Sequence, residues 1–196
     1  MAILRLARES DAQAVAAIYR PWVERTPVSF ELLPPSADEM ARRIRAAAAF
    51  APWLICEGEG GTWGYAYASR HRERAAYQWS VDVTIYVDDA RRRRGVGRAL
   101  YQSLFALLRL QGFVAAHAGI TLPNPASVGL HEALGFHRIG TYPAVGYKLG
   151  AWHDVGWWQL RLCELPADPG PPISPELAQQ KPGWRAALET GLAAIR

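Results

Sequence analysis

Cysteine and lysine are both scarce in this chain of 196 residues. Its two cysteines, Cys56 and Cys163, stand in apolar, strand-like runs with no C-x-x-C spacing, so they read as buried free thiols of a reducing compartment and not as a disulfide framework. Lys148 and Lys181 are the only lysines. The resulting arginine bias suits phosphate recognition, and GC-rich coding explains it as well. No apolar run reaches the roughly 18 residues of a membrane helix, and Met1 to Leu6 lacks the apolar core and small-residue cleavage site of a secretory leader. The expectation is a cytoplasmic protein that makes no contact with a membrane. A G-K-[S/T] phosphate loop is also missing, and no third glycine stands at the dinucleotide-binding spacing.

Apolar material is plentiful. Hydrophobic residues make up 50% of the chain, and there are 8 Trp and 8 Tyr, enough for one packed domain. The formal charge is +4, and Arg91-Arg92-Arg93-Arg94 supplies four positive charges, leaving the remainder balanced. One anion site explains this better than a nucleic-acid face, because no second basic stripe with interleaved stacking aromatics is present.

Ile3 to Ala7 reads as a strand, followed by a helix capped by Ser10 with Gln13 and bent at Pro21. Ser36 with Glu39 opens a second helix after a loop that carries Phe30. Trp53 to Glu57 and Thr62 to Ser69 form a hairpin, and Tyr77 to Val87 a long strand. Gly97 to Gln111 is a helix with leucines on one face, and Phe113 to Ile120 the next strand. A helix follows with Asn124 as N-cap and Pro125 in its first position. Two or three β segments run to Cys163. Residues 1–165 are thus expected to form the domain, and 166–196 a proline-rich linker with a short amphipathic helix over Trp184 to Ile195.

The strongest motif is Arg92-Arg93-Arg94-Gly95-Val96-Gly97, placed between a strand and a helix. Unpaired N–H groups and the positive end of the helix dipole make such a turn a cradle for pyrophosphate. At this point the chain resembles the GNAT N-acetyltransferases. Trp79 to Val87, Leu122-Pro123-Asn124, His131 to Phe136 and Gly146 to Val155 resemble the phosphinothricin and methionine sulfoximine acetyltransferase branch. The resemblance implies an α/β (α+β) fold, a mixed, strongly twisted sheet flanked by helices, with acetyl-CoA wedged between splayed central strands.

It further implies a cofactor site at Arg92, Arg93, Arg94, Gly95, Val96, Gly97 and Arg98, with backbone contacts from Val83, Ile85, Tyr86 and Val87. Asn124 and Ser127 are expected on the pantetheine side, although N-capping already explains Asn124. Acetyl transfer needs a neutral amine, a polarised thioester and a proton for the thiolate. Asp82, a carboxylate inside an apolar strand, stands where the family places its base, usually Glu; being one methylene shorter, it makes a water relay plausible. His131 stands where many members carry a tyrosine proton donor, and is expected as general acid or proton relay. Phe30, Arg74 and Thr84, with Arg72 as an alternative clamp, are the expected substrate residues. The substrate is a small amino acid analogue, the state a homodimer, and no metal is expected. Two readings remain beside this one: a GNAT acting on a polyamine or protein N-terminus, and a noncatalytic CoA-binding sensor.

Overall fold

The computed structural model describes residues 2–196. Seven strands form one sheet, β1 (Ile3–Leu6), β2 (Trp53–Gly58), β3 (Gly61–Arg70), β4 (Ser80–Val87), β5 (Ala115–Thr121), β6 (His137–Lys148) and β7 (Ala151–Arg161). Their spatial order is β1-β2-β3-β4-β5-β7-β6. Every neighbouring pair is antiparallel except β4 and β5. That parallel pair holds register only over Ser80 to Asp82 against Ala115 to His117, and the two strands part beyond it.

Helices cover both faces. α1 (Ala12–Arg25) and α2 (Ala37–Ala48) lie on one, where Val15, Tyr19, Met40 and Ile44 are buried against Trp53, Ile55 and Tyr65. α3 (Val96–Gln111) lies on the other. There Leu100, Leu104, Leu107 and Leu108 have no exposure and face Ala66 and Ala68 of β3. Burying each such leucine stabilises the fold by about 1.5–3 kcal/mol, and the alanines let the helix approach closely. α4 (Pro125–Glu132) packs beside α3. Among the described residues no helix is long and apolar enough to cross a membrane.

Several local expectations are corrected. Ser36 caps α2 as read, accepting from the Glu39 N–H at 3.1 Å. Ser10 does not cap α1, because a 3-10 turn at Glu9–Asp11 intervenes and Asp11 instead accepts the Arg8 N–H at 2.7 Å. Pro21 sits inside α1 without ending it. Tyr77 belongs to a 3-10 turn, Ala75–Tyr77, so β4 starts three residues later than its apolar pattern suggested. Cys56 is buried but Cys163 is exposed.

The last thirty residues turn back onto the domain. Gly170 accepts a bond from the Trp79 indole at 2.8 Å, and the Gln111 amide donates to Ile173 at 2.8 Å. α5 (Pro175–Gln179) and α6 (Trp184–Glu189) follow, and a 3-10 segment, Thr190–Ala194, replaces the second half of the expected helix. Trp184, Leu188, Leu192 and Ile195 pack on the core beneath α3.

Candidate active site

The anion loop begins where β4 ends. Asp88 caps a short turn by accepting the Ala90 N–H at 2.9 Å, and the chain then passes through two left-handed residues, Arg93 at φ 61° and Gly95 at φ 80°. Glycine suits the second of these, since a Cβ there would be strained. The first intrahelical bond of α3 runs from Ala99 N–H to Gly95 C=O. The N–H groups of Val96, Gly97 and Arg98 therefore precede the helical ladder and point out of its positive end.

A cleft of about 890 Å³ opens in front of them. Ile85, Tyr86 and Val87 of β4, Arg92, Arg93 and Gly95 to Arg98 of the loop, and Asn124, Ser127 and Leu130 of α4 line it. Arg94 and Val83 are not among its walls. Val83 is buried towards α3. Arg92 also pairs with Asp89 at 2.6 Å and lies 4.7 Å over the Trp22 ring, while Arg91, not expected in the site, lines the cleft too. Asn124 accepts the Ser127 N–H at 3.1 Å and so caps α4 while facing the cleft.

Asp82 sits at the fork of β4 and β5, opposite His117 in register, with its side chain on the α1/α2 face. Its Oδ1 lies 2.6 Å from His71 Nδ1. The His71 ring stacks on His117 at 4.3 Å and 20°, and the Gln159 amide bonds to His117 Nε2 at 3.1 Å. Burial raises the Asp82 pKa above the ordinary carboxylate value, and the bond to His71 and the nearby charge of Arg72 act against that rise. Burial and the neighbouring His71 lower His117 to about 4, so its ring is neutral at pH 7. The ligand atoms of these three residues lie within 4.8 Å of one another. Imidazole lone pairs lie in the ring plane, so two face-to-face rings direct them side by side and not at one ion. The arrangement suits holding and moving a proton. His71 and His117 were missed in the sequence, because neither lies in a motif and only the chain crossing brings them to Asp82.

His131 is placed differently from expectation. Only 3% of it is exposed, and both ring nitrogens are occupied: Nδ1 lies 2.8 Å from the Ser127 carbonyl and Nε2 3.1 Å from the Tyr101 hydroxyl. Burial lowers its pKa. Ser127 and Leu130 line the cleft and His131 does not; the Ser127 hydroxyl, 3.4 Å from Nδ1, gives the ring a polar link to the cleft. The ring ties α4 to α3.

The four expected substrate residues do not share one pocket. Thr84 is a hydrogen-bond partner of the partly buried Tyr67 hydroxyl. Phe30 lies beside His153, with ring centroids 6.4 Å apart. Arg72 lies 5.9 Å over the Trp157 ring and close enough to Asp82 to lower its pKa, whereas Arg74 is exposed at the start of the 3-10 turn after β3. The Thr26 to Glu31 loop follows α1, with Ser29 bonded to the Tyr19 hydroxyl and Val28 lining the basic cleft. Buried Lys148 secures the loop by donating to the Val23 and Ser29 carbonyls, both at 2.6 Å. A second cavity, about 330 Å³, lies beside Tyr19, Trp53, Tyr65 and Tyr67, with Tyr86 shared between it and the basic cleft.

A forked mixed sheet with an anion loop at one end of the parted strand and a carboxylate at the fork defines a protein that holds a phosphate-bearing cofactor along β4. Residues 4–157 match the model of the acetyltransferase (GNAT) domain, and the chain belongs to that family of acetyltransferases. It is 43% identical over 168 residues to the phosphinothricin N-acetyltransferase of Streptomyces viridochromogenes, covering 86% of this chain and 91% of the relative. It is 32% identical to an L-methionine sulfoximine/L-methionine sulfone acetyltransferase of Pseudomonas paraeruginosa, over 82% of this chain and 95% of that one. The crystal structure of a phosphinothricin acetyltransferase from Sinorhizobium meliloti in complex with acetyl-CoA superposes with a TM-score of 0.82 at 37% identity, over 86% and 93% of the two chains.

Proposed function

We propose that the protein transfers the acetyl group of acetyl-CoA to the α-amino group of a small amino acid analogue of the phosphinothricin, methionine sulfoximine or methionine sulfone class. The observation that carries this reading is the layout of β4, with the anion loop at its end and the Asp82–His71 pair at its fork. The names of the relatives support the substrate class. The three free N–H groups, the cluster of arginines and a cleft of about 890 Å³ fit a pyrophosphate-bearing carrier.

Acetyl-CoA supplies the activated thioester. The N–H groups of Val96, Gly97 and Arg98 hold its phosphates, and β4 offers backbone groups from Ile85 to Val87 to its arm. Asp82 takes a proton from the substrate ammonium, directly or through one water, leaving a neutral amine to attack the thioester, and His71 orients the carboxylate; the proton that the new amide nitrogen gives up goes to the departing thiolate. Arg72, whose charge reaches the fork at Asp82, receives the substrate carboxylate better than Arg74. Thr84 and Phe30 bound the space under the Thr26 to Glu31 loop. The enzyme acts in the cytoplasm as a homodimer.

A thiol-release assay with acetyl-CoA tests this against phosphinothricin, L-methionine sulfoximine, L-methionine sulfone, proteinogenic amino acids, spermidine and N-terminal peptides. Saturable turnover confined to the first three is expected. Preference for spermidine or peptides overturns the substrate class, and acetyl-CoA binding without turnover favours a sensor.

A further inference from the structure

The segment after Pro166 lies outside the residues that match the family domain, yet its end reaches the anion loop. Ala193, Ala194 and Arg196 line the same cleft as Gly95 to Arg98. Two backbone bonds fix the approach: Gly191 N–H donates to Ser103 Oγ of α3 at 3.0 Å, and Arg196 N–H donates to the Arg94 carbonyl at 2.9 Å. Packing is close at both ends. A Cβ on Gly191 would stand 1.9 Å from the Ala99 carbonyl oxygen, and one on Gly95 would stand 1.8 Å from that of Ala194.

The chemistry of these contacts distinguishes a wall from a plug. The tail takes up a carbonyl of the loop, an acceptor that has no use for an anion, and leaves the N–H donors of Val96, Gly97 and Arg98 facing the cleft. It also touches the loop where the backbone is least relaxed, between Arg93 at φ 61° and Gly95 at φ 80°. A loop braced in its binding conformation spends less free energy on ordering when the ligand arrives.

Resting on the acetyl-CoA reading above, we infer that residues 184–196 form a wall of the acetyl-CoA cleft and brace its anion loop, so that tail docking and cofactor binding strengthen one another. Such coupling is reciprocal. Undocking the tail weakens acetyl-CoA, and acetyl-CoA tightens the tail.

Gly191→Val tests the first half, since its side chain cannot fit against Ala99 and lies outside the cleft walls. Arg185→Ala, at a side chain 89% exposed, is the control. Titration calorimetry with acetyl-CoA is expected to give a Kd at least tenfold weaker for Gly191→Val, and for a chain ending at Gly183, than for the intact protein and the control. An equal or tighter Kd overturns the inference. Hydrogen exchange on the intact chain tests the second half without any variant. The Gly191 and Arg196 amides should exchange several-fold more slowly with saturating acetyl-CoA, and unchanged exchange there overturns the coupling. Failure of the intact chain to bind acetyl-CoA would instead defeat the cofactor reading.

Discussion

As the proposed base, Asp82 stands where burial disfavours its charged form, and His71 is the group that offsets part of that cost. The sign follows. A raised pKa means the basic form is lost at a higher pH than for a free carboxylate, so kcat/KM falls as the medium is acidified. Removing the His71 bond raises the pKa further. With L-methionine sulfone and saturating acetyl-CoA, His71→Phe should therefore shift the acid limb of kcat/KM to higher pH, keeping much of the rate on the alkaline side. Asp82→Asn should remove that limb and lower kcat/KM by about 10²–10⁴-fold at neutral pH, with a smaller loss where the free amine is abundant. A limb that stays put in His71→Phe would show that the bond does not tune the base. His131 gives the opposite lesson. Its spacing from Asn124 and Ser127 correctly places it on their helix, but spacing fixes only an angle, and the Tyr101 hydroxyl and the Phe136 ring on the inner side determine where the imidazole goes.

Elements were more legible than their meeting points. The α3 helix, its left-handed Gly112 cap and the small residues of β3 beneath it follow from a 3.6-residue leucine stripe against an alternating strand. The fork at Asp82 was visible only through family resemblance, because strand parting leaves no mark on composition. The Thr26 to Glu31 loop shows the same limit. Lys148 reads as one residue of the Gly146 to Val155 segment, and only the fold brings its ammonium to two carbonyls more than a hundred residues away. Burial lowers its pKa, with Glu31 opposing, so the group is held at a cost that its two bonds offset. Lys148→Met keeps the stem and removes the donors, freeing the Val23 and Ser29 carbonyls. Loss of charge-assisted bonds of this kind costs about 1.5–3 kcal/mol each at most, read as a lower urea midpoint. Val28 of the same loop lines the basic cleft, so freeing the loop should weaken the Kd for acetyl-CoA along with raising the KM for the amine. An acetyl-CoA Kd that stays near the original would show that the loop does not shape the cofactor cleft.

At the scale of the whole molecule, the sheet ends on one side in β6, a twelve-residue edge strand. Ile139, Tyr142, Val145 and Tyr147 are exposed along it, and Trp152 of β7 is exposed beside Tyr147, their rings 5.4 Å apart. A long apolar edge is an association site unless it is blunted. Pro143 removes one ladder donor and Ala144 turns to φ 44°, which blocks clean strand addition without reducing the apolar face. The proposed homodimer would therefore pack through side chains and not add a strand to the ladder. The double variant Tyr147→Lys, Trp152→Glu places two charges in that face and leaves the core untouched. Sedimentation velocity at micromolar protein should give a dimer for the original chain and a monomer for the variant, with the acetyl-CoA Kd unchanged, since neither residue lines the cleft. A monomer before substitution would assign this face to another partner, and a dimer that survives both charges would move the interface elsewhere on the sheet.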